Sequence, residues 1–126
     1  MPIVTVFHRV DLSTLPGTEV EAFFADLRAI LADELSGESP DHQLDPDSDF
    51  ELYLQSVGHH TGEHVRWDLS IDIEAYDYNY RMELRSELAT SILRRSIVAF
   101  EQRFGERRRF AVWLKLLTAA WVQTQG

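Results

Sequence analysis

Residues 65–75 alternate strictly between apolar and polar side chains, and this alternation constrains the fold more than any other feature. The apolar positions are Val65, Trp67, Leu69, Ile71, Ile73 and Ala75, with a polar residue between each pair. Successive side chains of a β-strand point to opposite faces, so the pattern predicts a strand with one buried face and one wet or functional face. Other elements must then cover the apolar face.

The first half of the chain predicts a strand, a helix and a second strand. Residues 3–10 are rich in β-branched and aromatic side chains, which is typical of a strand. A capping box of Thr18 and Glu21 is followed by apolar residues at i, i+3, i+4 and i+7 spacing, which predicts an amphipathic helix ending near Gly37. Residues 50–57 alternate and predict the second strand.

The second half repeats this order, because a helix and a strand follow the alternating segment. A helix is predicted over residues 82–104, with Gly105 as the residue that ends it. Its predicted inward positions are Leu84, Leu88, Ile92, Leu93, Ile97, Phe100 and Phe104. Residues 110–117 form a continuous apolar run, which predicts a fully buried strand.

This element order predicts one α+β domain over residues 1–126, built from two βαβ units. We expect a four-stranded mixed sheet with two helices on one face, since each unit favours parallel strands and a right-handed crossover. A ferredoxin-like module, with the same element order but an all-antiparallel sheet, is the alternative. Two helices on one face leave the other face uncovered, and a second subunit is its expected cover.

Composition excludes several classes of function. The net charge of −9 repels phosphate backbones, so we expect no nucleic-acid partner. The absence of cysteine excludes disulfides and thiol nucleophiles. No apolar run approaches the roughly 20 residues that span a bilayer, and the start lacks signal-peptide features, so a cytoplasmic location without membrane contact is expected. Eleven of the twelve basic residues are arginines, which fits an anionic small-molecule site or, alternatively, surface charge balance.

Two clusters could in principle hold a metal ion, and neither fits well. The segment Gly-His-His-Thr-Gly-Glu-His at 58–64 carries possible zinc ligands, but on a predicted loop, where a solvated hairpin is the favoured interpretation. The alternating aspartates that begin at Asp45 look like the start of a calcium loop. Phe50 and Ser56 then occupy the positions that need a glycine and a bidentate glutamate. We therefore expect no metal and no cofactor.

Pro2 directly follows Met1 and opens the first predicted strand. Removal of Met1 would leave Pro2 with a free secondary amine, and an α-amino group has a pKa of about 7.7–8.0 in water. Burial among apolar neighbours would lower that pKa by disfavouring the cation. Such a base can move a proton between carbon atoms that flank a carbonyl, or form an iminium. If Met1 is retained, the nitrogen is an amide and Pro2 only opens a strand.

The start Met-Pro-Ile-Val-Thr-Val-Phe, the alternating strand before the second helix and the apolar strand at 111–116 resemble the tautomerase and macrophage-migration-inhibitory-factor superfamily. The chain looks most similar to a short bacterial branch of it. The resemblance implies the strand order 2-1-3-4, with strands one and three antiparallel at the centre. It also implies a homotrimer and proton transfer on a small enol or keto acid, with Pro2 as the catalytic base. A non-catalytic oligomeric binding module, ferredoxin-like or tautomerase-like, is the alternative.

The resemblance also implies that arginines near the proline bind a carboxylated substrate. Arg9 is the only basic residue after the first strand, but the family's arginine on strand two has no counterpart, because residues 51–55 hold none. This departure argues against the usual enolic diacids. Arg81 lies at the pseudo-symmetric position, before the second helix, where a helix N-terminus attracts anions.

Geometry ranks these candidates for substrate binding. From Ile3 to Arg9 a strand spans about 20 Å, so Arg9 could serve Pro2 only from a neighbouring subunit, whereas Arg81 could reach it within the chain. Trp67 is expected on the apolar side of its strand, close to Pro2. Tyr78 is expected to donate a hydrogen bond to an oxyanion, or to pack on a neighbouring subunit.

Overall fold

The computed structural model describes residues 2–37, 43–57, 67–76 and 78–117, with the side chains of 79 and 80 excepted. Its strands are β1 (Ile3–His8), β2 (Glu51–Ser56), β3 (Leu69–Tyr76) and β4 (Phe110–Leu117). Its helices are α1 (Gly17–Leu35), α2 (Asn79–Glu83) and α3 (Arg85–Phe104). None of the helices within these ranges has the length and apolar character that a membrane crossing requires.

The four strands form one mixed sheet in the order β2-β1-β3-β4. β1 is parallel to β2 and β3 is parallel to β4, whereas the central pair, β1 and β3, is antiparallel. The predicted sheet of two βαβ units in the order 2-1-3-4 is therefore confirmed. The two parallel pairs exclude the all-antiparallel ferredoxin-like alternative.

The hydrophobic core lies between one face of the sheet and the pair α1 and α3. Its sheet side consists of fully buried aliphatic residues: Val4, Val6, Leu69, Ile71 and Ile73. On the helix side, the ring of Phe23 makes edge contacts with the rings of Phe100 and Phe110, with centroids 5.3 and 6.4 Å apart. Burial of such side chains contributes about 1.5–3 kcal/mol each, so this layer holds the helices on the sheet.

The two predicted helix beginnings differ from the structure. Helix α1 begins at Gly17, with Pro16 as N-cap and without a side-chain cap, so the predicted capping box of Thr18 and Glu21 is wrong. The carbonyl of Pro16 instead accepts the N–H groups of Glu19 and Val20, because the fixed φ of proline already suits a helix start.

The second predicted helix is two helices, α2 and α3, that meet at Leu84 with φ −110° and ψ 16°. The break turns the Leu84 side chain outward, where it is 50% exposed, so its predicted inward position is wrong. The end of α3 is confirmed: Gly105 has the left-handed φ of 69° and donates its N–H to Glu101.

β3 begins at Leu69, later than the alternation predicts, and residues 65 and 66 lie outside the described ranges. Just before it, the backbone N–H of Asp68 donates to Arg109, and the Asp68 carboxylate accepts the N–H of Arg109. From Leu69 onward the alternation is confirmed, because the apolar row faces the helices.

The sheet face opposite the helices, here called the open face, is uncovered by the described residues. It carries the residues of the alternate row on each strand, namely Ile3, Thr5, Phe7, Glu51, Tyr53, Gln55, Ser70, Asp72, Glu74, Tyr76, Ala111, Trp113, Lys115 and Leu117. Trp113 and Leu117 are about half exposed, so the prediction that residues 110–117 form a fully buried strand is wrong for this single chain. Trp121, predicted to pack on a neighbouring chain, lies outside the described residues.

Candidate functional site

Pro2 is buried at the end of the sheet where β1 and β2 begin. Its carbonyl accepts the backbone N–H of Glu51 at 3.1 Å, which ties it to the start of β2. The next residue, Ile3, pairs with Glu51 on one side and with Glu74 of β3 on the other. Pro2 therefore lies where two strands begin and the central antiparallel strand approaches its end.

Arg81, in α2, is only 2% exposed. Its Nε and Nη2 donate to the carbonyl of Leu35 at 3.2 and 3.1 Å, and its Nη1 donates to the carbonyl of Tyr76 at 3.1 Å. Leu35 ends α1 and Tyr76 ends β3. The guanidinium thus joins the C-terminal ends of a helix and a strand, and a cation is favoured at a helix C-terminus.

Tyr78 lies against Arg81, with the guanidinium carbon 4.8 Å from the centre of the tyrosine ring. The ring is partly exposed and packs 6.1 Å from the ring of Tyr76. Because Tyr76 ends β3 and Ile3 pairs with Glu74, this group lies at the same end of the sheet as Pro2. Three predicted site residues, Pro2, Arg81 and Tyr78, are therefore at one end of the molecule.

Arg9 and Trp67 lie at the opposite end of the sheet. His8 pairs with Leu69, and the N–H of Arg9 donates to Asp68 at 2.9 Å, so both residues follow or precede the far strand ends. The expectation that Trp67 lies close to Pro2 is wrong for one chain, because the antiparallel register puts the start of β3 beside the end of β1. β1 alone spans about 20 Å, so neither side chain reaches the Pro2 of its own chain.

The open face carries a polar pair near Pro2 that sequence reasoning missed. The hydroxyl of Tyr53 donates to the carboxylate of Glu51 at 2.9 Å. This hydrogen bond, together with the negative charge of Glu51, raises the pKa of the Tyr53 phenol above its usual value. Residues two apart on a strand share a face, so the Glu-x-Tyr spacing in a predicted strand was the available signal.

The largest groove, of about 700 Å³, lies elsewhere, between the outer sides of α1 and α3. Ion pairs cross it: Arg103 donates to Asp26 at 2.9 Å, and the hydrogen bond to this carboxylate raises the pKa of the guanidinium. Arg95 contacts Asp33 at 2.6 Å on the same side. None of the predicted site residues lines this groove, so its volume and the candidate chemistry do not coincide.

The predicted metal clusters fare differently. The histidine-rich segment 58–64 lies outside the described residues. In the aspartate turn, Asp49 accepts the N–H of Asp45, and Asp45 accepts the N–H of Asp47, so these carboxylates bond their own backbone. Within the described ranges, no group of three or more possible metal ligands comes together.

No family model matches the chain, and no curated protein matches it by sequence. Solved structures match it in shape. Leishmania major MIF2 aligns with a TM-score of 0.59 at 13% identity, over 96% of this chain and 93% of the other. A malonate semialdehyde decarboxylase aligns with 0.60 at 11% identity, over 98% and 92%. A fused 4-OT symmetric trimer aligns with 0.56 at 12% identity, over 91% and 85%.

The chain has the tautomerase/MIF fold. The alignments cover nearly the whole of each chain, so the likeness includes both βαβ units and the central antiparallel pair. In this tautomerase fold, Pro2 occupies the buried start of β1. The sequence expectation of the fold is therefore confirmed, and the identities of 11–13% restrict that confirmation to the fold.

Proposed function

We propose that the protein belongs to the tautomerase superfamily and catalyses proton transfer on a small enol or keto acid, with Pro2 as base once Met1 is removed. The carrying observation is that Pro2 is buried at the start of β1 in a tautomerase fold, at the same sheet end as a buried arginine. The name printed for the malonate semialdehyde decarboxylase structure includes a variant with alanine for the proline at its first position, which supports interest in this residue.

The chemistry follows from a secondary amine in a buried position. Burial disfavours the cation, so the neutral amine is available to take a proton from the carbon beside a carbonyl and to return it at another atom. The hydroxyl of Tyr78 is proposed to stabilise the developing oxyanion. Arg81, held on main-chain carbonyls, would attract a substrate carboxylate through its charge and not through a bidentate pair.

Assembly is the second part of the proposal. We place the protein in the cytoplasm as a single-domain homotrimer that covers the open face. The half-exposed aromatic residues Tyr53 and Trp113 on that face support this, and one structural neighbour is named as a symmetric trimer. In such an assembly, Arg9 and Trp67 would reach a Pro2 only from a neighbouring subunit, because they lie at the far end of their own sheet.

A non-catalytic binding protein with the same fold is the second candidate. It is favoured by Arg81, whose printed bonds go to main-chain carbonyls, as those of a structural arginine would. The two candidates differ in one requirement, since only the enzyme needs a free Pro2 amine.

The test compares ketonisation of phenylpyruvate by untagged protein and two proline variants. In Pro2→Ala we expect kcat/KM to fall about 10²–10⁴-fold, the usual contribution of a positioned base. Pro16→Ala, which changes the N-cap of α1, is the matched control and should stay close to the parent. Parent-like activity in Pro2→Ala would contradict the proposed base, and inactive parent protein would favour the binding module.

A further inference from the structure

Arg81 is the largest side chain that the described core buries completely. Charged groups are rarely buried this far unless their donors are bonded. Its guanidinium bonds two carbonyls that lie far apart in sequence, those of Leu35 and Tyr76. A planar guanidinium holds several donors in fixed directions, whereas the ammonium of a lysine is a single point on a flexible stem.

Both carbonyls lie at the sheet end where Pro2 is buried. Ile3 pairs with Glu74 in antiparallel register, so Pro2 comes beside the residues that follow Glu74, and Tyr76 is the last of that strand. Alternation along β1 puts Pro2 on the side of Val4, which is the face that the helices cover. Arg81 therefore spans the strand end and the helix end that border Pro2.

The two flanks of Pro2 are held in different ways. On the β2 flank, the Pro2 carbonyl accepts the N–H of Glu51. On the β3 flank, the strand ends at Tyr76, and strand ends open more easily than strand centres. The bond from Arg81 to the Tyr76 carbonyl closes this end, and the bonds to Leu35 tie it to α1.

The geometry points to Arg81 as a positioning residue whose guanidinium fixes the wall beside Pro2 and thereby the direction of its amine lone pair. This inference rests on the proposed function of Pro2 and assigns Arg81 a role other than binding the substrate carboxylate. A base misplaced by about 1 Å can lose about 10²-fold in rate, so a fixed wall matters to proton transfer.

The experiment compares Arg81→Lys with Arg103→Lys. Both keep a positive charge and lose a forked arginine, but Arg103 bonds Asp26 in α1, away from Pro2. The first readout needs no catalysis: exchange of the Glu51 amide hydrogen, taken as a ratio to exchange at Phe100 in the core, reports loosening at Pro2. The second readout separates kcat from KM for phenylpyruvate.

In Arg81→Lys we expect the Glu51 exchange ratio to rise by about tenfold, the factor that corresponds to one lost charge-assisted hydrogen bond. We expect kcat to fall by about 10–100-fold, with KM changed by less than about threefold, and Arg103→Lys to change neither readout. Equal exchange ratios in the two variants would overturn the inference, even if Arg81→Lys is less stable.

The outcomes separate this inference from the proposed function. A raised Glu51 ratio in a parent protein without activity would support the positioning role and reject proton transfer. Pro2-dependent activity with unchanged kcat in Arg81→Lys would reject the positioning role and leave the function standing. If Arg81→Lys does not fold, Tyr78→Leu removes the ring beside the guanidinium and leaves both carbonyl bonds. It should raise the Glu51 ratio by a few-fold, and no rise would overturn the inference.

Discussion

Replacing Trp113 by arginine should dissociate the assembly if the open face is the subunit interface. Trp113 lies on β4 with 51% of its surface exposed. Complete burial of an aromatic side chain removes about 150–250 Å² from water, so a partner would cover about 100 Å² of it. At about 25 cal/mol per Å², this is about 2.5 kcal/mol per protomer, or nearly 100-fold in the dissociation constant, before the cost of burying a charge.

The assay is sedimentation velocity at micromolar concentration, with circular dichroism to show that each variant is folded. Val98→Arg is the matched control, because Val98 is 50% exposed but lies on α3, on the helix side of the molecule. We expect the parent and Val98→Arg to sediment as trimers and Trp113→Arg as a monomer. A monomeric parent, or equal behaviour of the two arginine variants, would refute the reasoning.

Two further predictions concern pH and stability. Glu51→Gln should lower the raised pKa of Tyr53, seen as earlier phenolate absorbance in an alkaline titration; because the folded state raises this pKa, the bond stabilises the fold below pH of about 10 and is lost as pH rises through the folded value. An unchanged titration would contradict the assigned cause. Gly105→Ala should destabilise by about 1–2 kcal/mol in urea unfolding, since φ is 69°, whereas Gly17→Ala in α1 should not destabilise; equal effects would contradict this.

Local periodicity predicted the fold well where one face of an element is buried. The alternation that ends at Ala75 identified β3, and Gly105 identified the end of α3. The errors lie where tertiary contacts override a local signal. Pro16 begins α1 before the capping box, and Leu84 faces outward at a break in the helix that apolar spacing alone does not reveal.

The candidate site was less predictable, because it depends on register. Without the pairing of Ile3 with Glu74, the sequence could not tell which end of β3 lies beside Pro2, and Trp67 was placed at the wrong end. Arg81 was found, but not its bonds to the carbonyls of Leu35 and Tyr76, since main-chain acceptors leave no sequence signal. The pair of Glu51 and Tyr53 was visible only as a spacing.

The central claim is that Pro2 carries a free amine, and the intact mass of untagged protein tests it most directly. The account predicts a mass lower than that of the full sequence by one methionine residue, with an N-terminal peptide that begins at Pro2. A mass that includes Met1 would contradict the account, because the Pro2 nitrogen would then be an amide without basicity. The fold would stand, and the base that the proposed proton transfer requires would be absent.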